Sequence, residues 1–170
     1  MKFSLLCFAL GFASTISGLG EGSSEKENSL RDPKTNKRER CGVVPFGDAN
    51  KETVWMIWAA TEAVGLILPK GGWDTVEDHS WEQCASREAR EEGGFLFNHL
   101  KYLGYIQGVH WYSGVVTETV ERTDKKAKER PKPTLQTAKS AVKHLTGYGD
   151  KKDYMLAALQ AALSPSFRLV

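Results

Sequence analysis

The chain is 170 residues long, with 41% hydrophobic and 26% charged residues, room for one ordinary domain and hardly for two. Its 23 basic and 21 acidic side chains leave a net charge of +2, too balanced for a protein that coats nucleic acid, and no nucleic-acid partner is expected. Three cysteines are too few for a disulfide-dense scaffold, and the apolar runs are too short for a spanning helix, so no membrane partner is expected either.

Met1–Lys2 is a short basic start. Phe3–Ala13 is mostly apolar and gives way to the small residues Ser14, Thr15, Ser17 and Gly18, the order of a secretory signal peptide removed after export. Residues 1–20 are expected to be that leader. Glu21–Lys37 has a single Leu and many charges, so 21–38 is expected to be a flexible lead-in, 39–165 the folded domain and 166–170 a tail. Cys7 leaves with the leader. Cys41 and Cys84 could be joined in a secreted protein of this size, a matter of geometry that sequence does not decide, but each sits inside an apolar pattern, where a thiol behaves as a small hydrophobe, and free thiols are the expectation.

Cys41–Phe46 and Thr53–Ala59 read as strands separated by a turn at Gly47–Asn50. Gly65–Leu68 reads as a short strand ending at Pro69, and Lys70–Gly72 as a loop. Ser80–Glu92 reads as a helix: Ser80 and Gln83 have the spacing of a capping box, and Gly93–Gly94 stop it. Phe95–Ile106 and His110–Val120 read as strands. Lys125–Pro133 is basic, contains prolines and reads as a connection, followed by amphipathic helices over Thr134–Leu145 and Asp153–Leu163. Strands and helices alternate around one core, so the expected class is α/β or α+β with a mixed sheet.

The segment Gly71–Phe95 carries the chemistry. At roughly 100° per residue, Trp81, Cys84 and Ala85 share one side of the helix. The same stripe continues through Glu88 and Glu92, with Glu91 beside it. A run of charges is ordinarily a solvated face, but these acids occupy a line that starts out apolar. Carboxylates facing the body of a domain need a counter-charge, supplied by Arg and Lys or by a divalent cation. All-oxygen ligands suit Mg²⁺ or Mn²⁺ rather than zinc, and such a cation polarises phosphoryl oxygens and acidifies an attacking water. The Gly71–Gly72 pair lets backbone approach a ligand closely.

Glycines followed by Arg87-Glu88-x-x-Glu91-Glu92-x-Gly94-Phe95 resemble the Nudix box, the metal-binding signature of Nudix hydrolases. Asp78 stands where the pattern has Glu, and the stretch to Arg87 is one residue longer. The resemblance implies a Nudix fold, a mixed β-sheet sandwiched between helices. It implies Glu88, Glu91 and Glu92 as catalytic residues, with Glu88 and Glu92 as metal ligands and Glu91 orienting or deprotonating the water. It also implies the backbone carbonyl of Gly72, or of Gly71, as a metal ligand, a structural Arg87, and Mg²⁺ or Mn²⁺ as cofactor. Glu118 or Glu121 is a further acidic candidate.

Leu68–Gly72 resembles the start of the box in diphosphoinositol polyphosphate phosphohydrolases and in diadenosine polyphosphate hydrolases, and Val115–Glu118 resembles the last strand of the inositol enzymes, which implies an inositol pyrophosphate substrate. Charge points the same way: Arg122–Lys132 holds six basic residues against two acidic. The candidates for substrate binding are Arg38, Arg40, Lys70, Gly71, Gly72, Lys128, Arg130 and Lys152, with a solvated surface as the alternative for each lysine. Diadenosine polyphosphates, nucleoside diphosphate sugars and capped RNA are the rival substrates; an adenine-recognising enzyme would need an aromatic clamp as well, for which Trp73, Trp111 and Tyr112 are candidates, with core packing as their alternative role. A module that only binds a phospholigand or host protein is the non-enzymatic alternative. The leader together with the box resembles secreted fungal Nudix effectors, which implies export and action in host-cell cytoplasm on phosphate signalling.

Overall fold

The computed structural model describes residues 28–146 and 152–164. The expected leader, the start of the lead-in and the tail lie outside the described residues.

The centre of the sheet is β1 (Arg40–Phe46), whose residues after Arg40 and before Gly47 are all buried. One edge of β1 pairs in parallel along its whole length with β7 (Val109–Thr119). The other edge is shared. Its beginning pairs antiparallel with β4 (Lys70–Gly72), and its end meets β2 (Thr53–Trp58) at Phe46↔Val54. The outer edge of β7 is likewise divided between β6 (Lys101–Ile106) and β5 (Phe95–Phe97). β3 (Leu66–Ile67) and β8 (Thr134–Thr137) complete the sheet on β2.

Alternation along β1 assigns its two faces. Cys41 faces helix α1 (Trp81–Gly93), which also packs on β4, β5 and β7. Gly42 points the other way, where a Cβ would run into the buried Trp111 ring, and Trp111 in turn packs on Tyr154 of helix α4 (Asp153–Leu163). Helix α3 (Ala138–Thr146) packs beside α4. Val43, Val44, Phe46, Met56, Leu68, Phe95, Trp111, Leu145 and Leu159 fill the core between these layers. This is the mixed sheet between helices expected from the sequence. Among the described residues no helix is long and apolar enough to cross a membrane.

Several elements differ from the sequence expectation. Cys41 and Cys84 form a disulfide rather than standing as free thiols, because facing elements bring their Cα atoms to 6.0 Å across 43 residues of sequence. Lys70–Gly72 is a strand, since β1 offers it a free edge over Arg40–Gly42. Within Lys125–Pro133 lies a short helix, α2 (Lys125–Glu129), started by the Asp124 side chain accepting from the Ala127 amide and stopped by an extended Arg130 ahead of Pro131. Thr134–Thr137 is strand, not helix: its threonines follow Pro133 and find partners along Thr53–Met56. The described end of the lead-in, residues 28–38, is an ordered turn with bridges Ser29↔Asp74 and Arg31↔Arg38.

Candidate active site

Helix α1 starts and stops where its local chemistry directs. The Ser80 hydroxyl accepts from the Gln83 amide at 3.1 Å, and the Gln83 side chain accepts from the His79 amide at 3.0 Å. At the far end Gly94 takes the left-handed conformation, φ 72°, in a place where a Cβ would overlap the Val120 carbonyl. Between these caps one stripe of the helix runs from Cys84, Ala85 and Ala89, all fully buried, to Glu88, only 8% exposed.

This stripe lies along β4, and each strand residue meets one helix residue. The Lys70 amide donates to Glu92 Oε2 at 3.0 Å. Gly71 sits against the Glu88 carboxylate so closely that a Cβ there would overlap it. The Gly72 carbonyl accepts from Arg87 Nη2 at 2.8 Å. A Cβ on Gly72 would also collide with the Arg38 guanidinium, so both glycines leave room for functional side chains.

Arg87 holds the loop and the acids together. It donates from Nε and Nη2 to the two oxygens of Asp78 at 2.9 and 2.8 Å, a bidentate pair, and from Nη1 to Glu91 at 3.0 Å, with Glu88 Oε1 3.2 Å away. Asp78 is buried and also accepts from the Asp74 amide at 2.8 Å, which closes the loop before the helix. The aspartate in the glutamate position of the box therefore anchors Arg87.

Glu88, Glu91 and Glu92 line a pocket of about 250 Å³ with Arg38, Arg40, Lys70, Gly71, Gly72 and Arg130. These are nine of the residues singled out in the sequence. Two others are not in this pocket. Lys128 lies across α2 in a separate cavity with Trp55 and Lys132, paired to Glu121 at 2.7 Å. Lys152 is 1% exposed and donates to the Leu66 and His144 carbonyls at 2.9 and 3.0 Å, tying α4 to β3 and α3. Its role is structural. Glu118 and Glu121 also lie away from the pocket, on the β5–β7 side.

The late acid in the pocket is Asp124, joined there by Lys126, and the sequence reading counted both only as part of a basic run. The signal for Asp124 was its place as a helix cap. Lys126 and Arg130, four residues apart, share a face of the segment, whereas Lys128 projects from the opposite one. Arg130 is held by the Trp58 carbonyl at 3.0 Å and the Lys126 carbonyl at 3.1 Å. The candidate aromatic clamp is not in this pocket either. Trp111 is buried under Gly42, Tyr112 is almost buried, and Trp73 packs on Trp81 with ring centres 4.4 Å apart.

Burial pushes the Glu88 carboxyl up to about 8, against the pull of Arg87 and with the help of Glu92 and Glu91. Burial also raises Glu92, opposed by the Lys70 amide and the charges of Lys70 and Arg130. Two buried carboxyls held above their ordinary range are the electrostatic setting in which a bound cation is favoured. The donor chemistry, carboxylates and backbone carbonyls, suits a hard divalent ion. Among the described residues no three acids or histidines already converge as a cage: Glu91 leans to Arg87 and Glu92 to the Lys70 amide. The Gly72 carbonyl, a candidate ligand from the sequence, faces the glutamate helix and accepts from the Arg87 guanidinium, whereas Gly71 pairs with Cys41 in the β1–β4 ladder.

The chain is similar to two proteins of Arabidopsis thaliana, Nudix hydrolase 17, mitochondrial (35% identical over 75 residues, 40% of each chain), and Nudix hydrolase 18, mitochondrial (32% over 75 residues, 40% of this chain and 42% of that one). It thus spans about two fifths of the length of the curated relatives it matches. Its fold is similar to the NUDIX domain of Shewanella oneidensis NrtR, solved with ADP ribose, at a TM-score of 0.56 and 14% identity over 84% of this chain and all of that one. The NUDIX domain family profile matches residues 36–143, which takes in the β1–β4 edge, the glutamate helix and the basic segment after β7. With that match covering more than half of its length, the chain belongs to the NUDIX family.

Proposed function

We propose that the protein is a metal-dependent hydrolase of phosphoanhydride bonds, and that its substrate is a diphosphoinositol polyphosphate. The observation that carries this reading is the pairing of a glutamate floor (Glu88, Glu91, Glu92) with a rim of five cations, Arg38, Arg40, Lys70, Lys126 and Arg130. Such a rim binds the oxygens of several phosphates at once and offsets their charge. Glu88 and Glu92, with a backbone carbonyl of β4, would hold Mg²⁺ or Mn²⁺, which when bound supplies positive charge to phosphoryl oxygens and lowers the pKa of water. Glu91, kept in place by Arg87, orients or deprotonates the attacking water. Water adds to the terminal phosphorus, the bridging P–O bond breaks, and orthophosphate leaves with the phosphorylated inositol as the other product.

A second reading is a nucleotide carrying a diphosphate. Its support is the ADP ribose bound by the Shewanella relative and the exposed Tyr105 in the neighbouring cleft. The export reading has support of its own: besides the apolar leader, the Cys41–Cys84 disulfide is of a kind that persists in oxidising compartments. Delivery into host cells as a fungal effector, and a host protein target, remain part of the proposal. Released phosphate, followed across inositol pyrophosphates, diadenosine polyphosphates, ADP ribose and capped RNA, tests the assignment. Turnover should be greatest on the inositol compounds and should vanish in Glu92→Gln with the melting temperature retained. Undiminished turnover in that variant, or the absence of any metal-stimulated hydrolysis, refutes it, and the second of these would favour a binding module.

A further inference from the structure

The pocket over the glutamates is small for the substrate class proposed for it. Its volume of about 250 Å³ accommodates a diphosphate, yet it falls below the range of about 300–1,000 Å³ that encloses whole ligands of drug size. The remainder of the substrate must lie beyond the rim. A cleft of about 760 Å³ adjoins the pocket and shares two of its residues, Arg38 and Arg40. One wall is the ordered turn of residues 28–38, and the other is the tight β6–β7 turn, where Gln107 and Gly108 both take positive φ.

The first wall is built, not merely adjacent. Three backbone hydrogen bonds close a ring among Leu30, Glu39 and Trp73 (Leu30 N to Trp73 O 3.3 Å, Glu39 N to Leu30 O 2.9 Å, Trp73 N to Glu39 O 3.1 Å). The Thr75 amide donates to the Asn28 carbonyl at 2.8 Å. The turn is therefore laced to the loop that leads into the glutamate helix. Within it, Arg31 Nη1 donates to the Asn36 carbonyl at 2.9 Å, and the Asp32 carboxylate accepts the amides of Lys34 and Thr35 at 2.8 and 2.7 Å. Four cations line the cleft (Arg31, Lys37, Arg38 and Arg40) against the two carboxylates of Asp32 and Glu39.

We propose that this cleft is a second phosphate subsite, in which Arg31 and Lys37 hold phosphates on the part of the substrate remote from the scissile diphosphate. The assignment rests on the hydrolase reading for which end of the substrate occupies the pocket, but its binding chemistry stands on the cleft itself. Arg38 and Arg40 bridge the two compartments, so a ligand carrying phosphates around a ring engages both, while one with phosphates at a single point fills only the pocket. Selectivity for multiply phosphorylated substrates then comes from the segment ahead of β1, outside the glutamate box.

Binding of inositol hexakisphosphate and of inorganic pyrophosphate, measured by calorimetry on the wild-type chain, Lys37→Ala and Arg31→Ala/Lys37→Ala, tests this. Wild type should prefer the hexakisphosphate. The preference, as a ratio of dissociation constants, should fall at least about tenfold in the double variant and by less in Lys37→Ala. Equal weakening of both ligands would mean that the turn only supports the fold, and would overturn the proposal, as would an unchanged ratio or no wild-type preference. Loss of the ratio as expected in a chain that hydrolyses none of the phosphoanhydrides would sustain the subsite and refute the hydrolase reading instead.

Discussion

Replacing Arg87 by Ala should be among the most damaging single changes in the domain, although Arg87 need not touch substrate. Its side chain is 17% exposed, and the Asp78 carboxylate it grips is fully buried. Deletion leaves that carboxylate with the Asp74 amide and frees the Gly72 carbonyl and Glu91. Breaking a buried pair by removing one partner costs about 3–5 kcal/mol. Partial access of water to the Arg87 side places this case near the lower end, about 3 kcal/mol. For a chain of this size that lowers the melting temperature by about 6–12 °C. Urea unfolding in the presence of EDTA measures the loss without any contribution from metal. Asp78→Ala should cost about as much, and the double variant little more than either single one, since both remove the same contact. Additive losses, or a loss under about 1 kcal/mol for Arg87→Ala, would refute the claim that the pair organises the loop. Asp78→Glu, which restores the side chain of the box pattern, should still destabilise, by about 1–3 kcal/mol, because it forces a methylene into a filled site.

Burial holds the Glu88 carboxyl at about 8, above its ordinary 4.5, so the folded chain binds this proton more tightly than the unfolded one. That stabilisation is complete below about pH 4.5 and lost as the pH rises to 8, so the melting temperature of the EDTA-treated protein should fall across this window. Added Mg²⁺ should flatten the fall, Glu88→Gln should remove most of it, and a flat wild-type profile would count against the buried site. Reduction of the Cys41–Cys84 bond, which closes a loop of 43 residues, should cost on the order of 4 kcal/mol by chain entropy, read as a lower urea midpoint in dithiothreitol that Cys84→Ser mimics. Lys152→Ala should lower the melting temperature and leave KM for the phosphorylated substrate unchanged, whereas a rise in KM without loss of stability would restore it to the binding surface.

What could be read from the sequence was whatever the chain fixes locally. Ser80, Gln83 and Gly94 set the ends of α1 through contacts within a few residues, and the phase of Glu88 and Glu92 on the Cys84 stripe follows from helical periodicity alone. The disulfide was hidden because Cys41 and Cys84 meet only after β1 and α1 pack, and an apolar neighbourhood suits a thiol and a disulfide equally. Thr134–Thr137 is four residues long, too short for period 2 and period 3.6 to be told apart, and the free edge of β2 decided it. Charge counting found the basic segment but gave no direction to its side chains. It could not separate Lys126, on the glutamate side, from Lys128, on the other, nor foresee that Lys152 would spend its charge on two carbonyls in the interior.

The five-residue α2 works as a small rotor between two compartments. Each residue added or removed between its Asp124 cap and Arg130 would turn the downstream side chains by about 100°, exchanging which cations look onto the glutamates. Insertions and deletions in this segment could therefore retune ligand preference while every glutamate stays in place, a route to divergence among relatives that comparison of the box alone would overlook.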